Sequence, residues 1–531
     1  MGDVLLFHLK PRAGKAGKQI GSPVQSSYRK RTILLIFLVC LFKCFLAFTL
    51  ELGNDEAYYW LYSLHLQWNY FDHPPFVALW IRLFTLNLSL DYLEGFIRLG
   101  SVIGSALASW FLFKATSLIH SERAGWFAAI LYHASFYAGI SAGLYILPDS
   151  PQMVFWTFSL WMIARIAGDE ENWTNWIMFG IAAGLCIMSK VHGVFLWMGT
   201  GFYILLRHRV WLRKPQLYIS LLITAVIISP IIFWNINNGF VTWRFHSQRV
   251  DIDGFAFNWR SFLIQFASQL TFNNPVNVFL VILAFVHWRQ KKFNPVPPLG
   301  IYNFVALPLA SALLLISIFR NTTLPHWSGP AYVSLLPLAA TSLASSNGQV
   351  FPRILKWSLG IFVFVYLGWV AAVNWYPGTY GTVKPPSKLG RGDITLDMHG
   401  WAEAGKQFAR IYHDDISKGL MPAGAPLVVG HWWGAHVEYY FAHPLQLPVI
   451  GLGETQDLHH YQWMNAYRKE ALKDGKAYCI LPSDENNQIP KDYFYNTEVA
   501  AVIHIFRSGL PAHDFVIFRM KGLKKEIPVV Q

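Results

Sequence analysis

Charged side chains are scarce in this sequence. They make up 14% of its 531 residues, whereas a soluble domain carries about 25%. That shortage excludes an ordinary soluble enzyme, a disordered chain and a nucleic-acid binder that is basic throughout. Cysteine is scarcer still: Cys40, Cys44, Cys186 and Cys479 lie mostly in apolar runs and show neither metal-ligand nor disulfide-framework spacing. Redox chemistry and a cysteine-held metal are therefore not expected. Solenoid repeats and heptads are also missing. The shortage of acidic residues is local. Residues 1–373 hold 27 Lys/Arg against 14 Asp/Glu, which is the whole formal charge of +13, while residues 374–531 hold 16 against 16. What is abundant is apolar side chain, at 54% of the chain. The pattern predicts a polytopic α-helical membrane protein with a basic membrane part and a neutral soluble part.

The first 31 residues hold seven Lys/Arg and a single acidic residue, Asp3. The apolar run 32–50 then leads directly into Glu51 and a polar aromatic loop, without the small residues of a cleavage site. Residues 1–31 read as a basic cytoplasmic tail and 32–50 as an uncleaved first span. Further spans are predicted near 97–117, 124–143, 151–167, 174–189, 192–206, 215–234, 275–288, 298–318, 329–346 and 355–373. The total is about 11 transmembrane helices, or up to 13 if 76–90 and 261–272 also enter the bilayer instead of lying at its surface. An odd count places residues 374–531 on the side opposite the N-terminus. There, short apolar runs at 426–429, 477–481, 500–506 and 514–519, separated by helical stretches and turn residues, predict a soluble α/β domain. The domain expectation is thus 32–373 for the transmembrane part, with a first outer loop at 51–96, and 374–531 for the soluble part.

Charges at the edge of membrane spans are expensive, and each is a candidate for function. The first outer loop is the richest: Glu51-Leu-Gly-Asn-Asp55-Glu56-Ala-Tyr58-Tyr59-Trp60, then Trp68-Asn-Tyr70-Phe-Asp72-His73-Pro74-Pro75. Carboxylates can bind sugar hydroxyls or act as a base while aromatic faces stack on a sugar ring. An interfacial helix with an aromatic belt has the same composition. Asp149, in Pro148-Asp149-Ser150-Pro151, reads either as a site residue or as a helix cap. Lys190, in Ser189-Lys190-Val191-His192, can hold a lipid phosphate or simply snorkel to the interface. Arg244, His246, Gln248 and Arg249, and Arg320 before Pro325-His326-Trp327, are basic on the outer side. They suit a lipid phosphate or anionic headgroups.

Taken in order, Asp55-Glu56-Ala-Tyr58-Tyr59-Trp60, Tyr70-Phe-Asp72-His73-Pro74-Pro75, Pro148-Asp149-Ser-Pro151, Ser189-Lys190, Trp243-Arg244-Phe245, His326-Trp327-Ser-Gly-Pro330-Ala-Tyr332 and His399-Gly400-Trp401 resemble the protein O-mannosyltransferase-like (GT-C) family. Within it the chain is similar to the bacterial branch that includes lipid A aminoarabinose, galacturonosyl and hexosaminyl transferases. The resemblance spans about residues 32–405. It implies a GT-C fold and transfer of a single sugar from an undecaprenyl- or other polyprenyl-phosphate donor to lipid A, lipopolysaccharide or a related envelope acceptor. The reaction is expected at the periplasmic face of the bacterial inner membrane. Asp55 is then the principal catalytic residue, beside Glu56, with Asp149 positioning the acceptor or sugar. Lys190 with Arg244 or Arg249 holds the donor phosphate. Tyr58, Tyr59, Tyr70, His73 and His326 line the cavity. A divalent metal held by Asp72, His73 and Glu56 is a further alternative; no other cofactor is expected. Aminoarabinose transferases carry Glu-Lys-Pro where this chain has Asp72-His73-Pro74, which favours a different sugar. Rival readings are a protein O-glycosyltransferase of the same fold, a lipid-linked sugar transporter or flippase, and a binding module on a membrane anchor. A transporter predicts charges near the bilayer centre, yet Lys43 is the only clear one.

Overall fold

The structure is a computed structural model that describes residues 23–250, 257–293, 296–319, 324–346, 348–485, 490–525 and 527. Most of residues 1–31, together with Arg320, lies outside the described residues. Among the described residues, fifteen α-helices precede the C-terminal sheet domain: α1 (Pro23–Ala47), α2 (Asn54–Leu64), α3 (Phe76–Phe84), α4 (Glu94–Ile119), α5 (Glu122–Ala134), α6 (Asp149–Gly168), α7 (Trp173–Ser189), α8 (Val194–Arg207), α9 (Pro215–Asn237), α10 (Val241–Val250), α11 (Trp259–Phe272), α12 (Pro275–Arg289), α13 (Pro297–Ser317), α14 (Gly329–Ser346) and α15 (Arg353–Trp375). A helix begins or runs at each of the eleven predicted spans. By length and composition, four of them (α4, α9, α13 and α15) can cross a bilayer alone, and α11 with α12 makes a fifth if that pair, bent by 95°, is one span.

Small residues let these helices approach closely, the packing device available where no water drives association. A Cβ on Gly180 of α7 would lie 2.5 Å from the Ser220 carbonyl of α9. In that gap the Ser220 hydroxyl donates to the Trp176 carbonyl (2.7 Å) and the Thr224 hydroxyl to the Gly180 carbonyl (2.8 Å). Aromatic and aliphatic side chains of α4–α8 and α12–α14 fill one continuous core. The peripheral α9 and α15 turn Ile232, Phe233, Trp357 and Phe364 outward, as helices facing lipid do.

The C-terminal sheet domain contains α16 (Trp401–Ser417), β1 (Leu427–Val429), β2 (Val449–Gly451), β3 (Lys476–Pro482), β4 (Phe494–Arg507) and β5 (Leu510–Leu523). They form one sheet in the order β2-β1-β3-β5-β4, with β1 parallel to β2 and β3, and β5 antiparallel to β3 and β4. The four predicted runs fall on β1, β3, β4 and β5. Several of this region's charges are spent on internal pairs, among them Arg507–Asp393 (2.8 Å, fully buried), Arg519–Asp415 (2.6 Å) and Arg468–Glu438 (2.6 Å). The C-terminal domain does not stand apart from the segment after α1. Trp60, Tyr62 and Ile81 share a hydrophobic core with Trp401, Phe408, Val449 and Phe515.

Candidate active site

The loop between α1 and α2 is held from both sides. Arg98, buried at the start of α4, grips the Glu56 carboxylate with two bonds (2.7 and 2.5 Å) and donates to the carbonyls of Leu50 (2.6 Å) and Glu51 (2.7 Å). Glu56 also accepts from the backbone N–H of Gly53 and of Ile146, each at 3.0 Å. From the C-terminal domain, Tyr440 accepts the Leu52 N–H (2.6 Å), and His436 sits 2.7 Å from both the Leu52 carbonyl and the Asn54 amide oxygen. Asp397 accepts the Asn54 N–H (3.0 Å). In return, Glu51 accepts the N–H groups of Trp401 (2.9 Å) and Ala402 (3.0 Å), capping α16 with a carboxylate where the helix dipole favours one. Adjacent helical residues point about 100° apart. With Glu56 fixed against Arg98, Asp55 faces a cavity.

That cavity, of about 610 Å³, is lined by Asp55, Tyr58, Tyr59, Asp72, His73, Asp149, Lys190, His192, His246, His326, Trp327, Trp432 and His459, among others. Lys190 caps the C-terminus of α7, and Asp149 opens α6. They meet as a buried pair at 2.6 Å, and Tyr137 donates to the other Asp149 oxygen at 2.8 Å. Asp72 accepts from Tyr58 (3.3 Å) and, at closer range, from Tyr62. Burial and the Asp72 charge raise the Tyr58 and Tyr59 phenols far above their ordinary range, so both stay neutral. Burial first, and the Lys190 ammonium second, hold His326 down to about 4, leaving a neutral imidazole at physiological pH. Helix α10 is tied to the 69–73 turn: Thr242 donates to the Tyr70 carbonyl (2.9 Å), Asn69 donates to Thr242 (2.8 Å), and His246 Nε2 lies 2.6 Å from the Asp72 carbonyl.

A second cavity of about 540 Å³ lies between this loop and the C-terminal domain, bordered by Gly53, Glu56, Asp393, Asp397, Asp484 and Glu485. Asp55, Leu147 and Trp432 line both cavities. Burial raises the Asp397 carboxyl well above its ordinary range, reinforced by the charges of Asp55, Glu485 and Glu56.

Of the predicted site residues, Asp55, Asp149, Lys190, Tyr58, Tyr59, His73 and His326 converge on the first cavity. Three others do not. Glu56 is committed to Arg98 and borders only the second cavity. Tyr70 is stacked on Tyr62, with ring centroids 4.0 Å apart, and donates to the Tyr62 carbonyl behind the cavity wall. Arg244 is exposed and folds back onto the Gly239 carbonyl at the start of its own helix. The Arg249 side chain lies outside what the structure describes. The proposed metal set is not assembled: Glu56 is paired with Arg98 and borders the second cavity while Asp72 and His73 line the first, and no group of three metal-ligating side chains occurs among the described residues. Arg98 itself carries a sequence signal, a lone charge in an apolar segment. The cavity faces of Trp432 and His459 carry none, since they depend on the tail folding back over the first loop.

Residues 72–234 match the family model described as dolichyl-phosphate-mannose-protein mannosyltransferase. Over 362 residues, 67% of this chain and 72% of the relative, the sequence is 22% identical to the lipid A galacturonosyltransferase RgtD of Rhizobium johnstonii. The fold is similar to that of ArnT from Cupriavidus metallidurans. The apo structure gives a TM-score of 0.61 at 14% identity and covers 92% of this chain and 98% of that one. The structure bound to undecaprenyl phosphate gives 0.63 at 15%, covering 93% and 98%.

Proposed function

Since the chain belongs to the protein O-mannosyltransferase-like family of GT-C proteins, on its bacterial lipid A branch, we propose that it transfers one sugar from a polyprenyl-phosphate donor to lipid A at the periplasmic face of the inner membrane. Eleven transmembrane spans belong to this reading, as does a soluble domain on the periplasmic side. The observation that carries it is the convergence of Asp55, Asp149 and Lys190 in one cavity walled by tyrosines and histidines. A carboxylate beside a lysine–aspartate ion pair suits displacement at an anomeric carbon. The acceptor oxygen attacks that carbon, the bond to the phosphate oxygen breaks, and the polyprenyl phosphate leaves.

Asp55 takes the proton when the acceptor is a hydroxyl, and orients the acceptor when it is a phosphate. Lys190 has three donor directions. One is used on Asp149, and the others are open to the leaving phosphate. Tyr59, held neutral, donates to a sugar hydroxyl, while the Tyr58 hydroxyl stays on Asp72 and offers the sugar its ring. The galacturonosyl relative makes a uronic acid the first sugar to test, consistent with the departure from the aminoarabinose pattern at Asp72-His73-Pro74.

The test is incubation of purified protein with radiolabelled polyprenyl-phosphate sugars and lipid A. Label is expected on lipid A with the wild type and absent with Asp55→Asn, whose expression and membrane insertion remain normal. Near-normal transfer by Asp55→Asn would remove Asp55 from this role. Movement of intact donor across a vesicle membrane without covalent transfer would identify a flippase instead.

A further inference from the structure

The soluble part supplies two rings to the cavity that the reaction above leaves without a role. Trp432, in the loop after β1, is half-buried and lines both cavities alongside Asp55. His459, in a separate loop, stacks parallel to it with centroids 5.7 Å apart. Tyr58 of α2 meets Trp432 edge-on at 5.3 Å, and His459 lies over Phe71 at 4.7 Å. The two loops are joined where the Trp432 N–H donates to the Asp457 carbonyl (2.8 Å), and the His460 N–H reaches the Tyr58 hydroxyl (3.3 Å). His459 adopts φ +51° and ψ −126°, a backbone region that residues with a side chain rarely occupy and that persists where the surroundings impose it. Both loops are thus fixed in a way that presents an aromatic face at the boundary between the two cavities.

Resting on the glycosyltransferase reading, we propose that Trp432 is a specificity-determining residue: its indole is the platform against which the ring of the transferred sugar lies beside Asp55, and His459 holds that indole in place. A large, rigid aromatic face binds the apolar face of a pyranose at small entropic cost. The polyprenyl phosphate itself, gripped at Lys190, has no need of it.

The experiment measures binding of undecaprenyl phosphate alone, and steady-state transfer from undecaprenyl phosphate carrying an acidic, neutral or amino hexose. The proteins are the wild type, Trp432→Ala, Trp432→Leu and Trp432→Phe in the full chain. Trp432→Ala and Trp432→Leu are expected to raise the donor KM about tenfold, to change the ranking among the three sugars, and to leave undecaprenyl phosphate binding within about twofold of wild type. Trp432→Phe restores most of the loss. Leucine keeps bulk without an aromatic face, so a Leu variant as good as the Phe variant would overturn the platform. So would an unchanged donor KM, or equal weakening of undecaprenyl phosphate and of sugar-bearing donor. A wild type that binds undecaprenyl phosphate but transfers no sugar to any acceptor would overturn the glycosyltransferase reading, and this inference with it.

Discussion

Asp55 and Glu56 are neighbours of the same charge with opposite fates, and the cause is Arg98. Its guanidinium satisfies Glu56 and the end of α1 together, with side-chain exposures of 0% and 3% for Arg98 and Glu56. Breaking a buried pair leaves an uncompensated charge, a loss of about 3–5 kcal/mol. Glu56→Gln and Arg98→Met are therefore expected to lower the thermal midpoint in detergent sharply. The double variant should recover much of that loss, because no lone charge remains. A simple catalytic role for Glu56 would instead leave stability intact. The Lys190–Asp149 pair follows the same rule: Lys190→Met should both destabilise the protein and raise the donor concentration needed for transfer, while Lys190→Met with Asp149→Asn recovers stability but not donor affinity. At this scale the sequence exposes the residues whose charge is costly where they stand, Asp55, Asp149 and Lys190. It does not reveal which of two adjacent carboxylates turns inward, since that is decided by a residue more than forty positions away.

Helix α10 is short and polar, and its own composition gives it little stability. What fixes it against the cavity is the Thr242–Asn69–Tyr70 link. Thr242→Val keeps the shape and removes the hydroxyl. Amide exchange across 241–248 should then accelerate and transfer should fall several-fold, whereas an α10 without a part in the cavity would loosen with no change in rate. Elements with a long apolar run were legible: helices stand at all eleven predicted spans, and 500–506 and 514–519 lie within β4 and β5. These two strands extend well beyond the runs, through polar residues whose partners come from the hairpin. Ser508 and Gly509 close it with φ of +50° and +80°, the conformation that matches strand twist. Strand β2, three residues long, has too few positions to show alternation and escaped notice.

Across the whole molecule, the C-terminal domain is the mould of the loop that carries Asp55. His436 illustrates the coupling: it is buried, stacked on Trp401 at 3.7 Å, and contacts Leu52 and Asn54. Burial lowers it to about 3 from an ordinary 6.5, so the fold favours the neutral ring. That contribution is complete above pH 6.5 and is lost as pH falls toward 3, because the unfolded chain takes up the proton first. The thermal midpoint should drop between pH 7 and pH 4, and the drop should be smaller in His436→Gln. The charge division in the sequence marks off the C-terminal domain but does not show that its core merges with the segment after α1, because burial shared by distant segments leaves no local pattern. Sugar transfer onto lipid A, with Asp55 as the essential carboxylate, is read out by mass spectrometry of lipid A from a deletion strain of the source bacterium, complemented with wild type or with Asp55→Asn. One sugar mass should disappear on deletion, return with the wild type and stay absent with Asp55→Asn. An unchanged lipid A in the deletion strain, or full restoration by Asp55→Asn, would contradict the account.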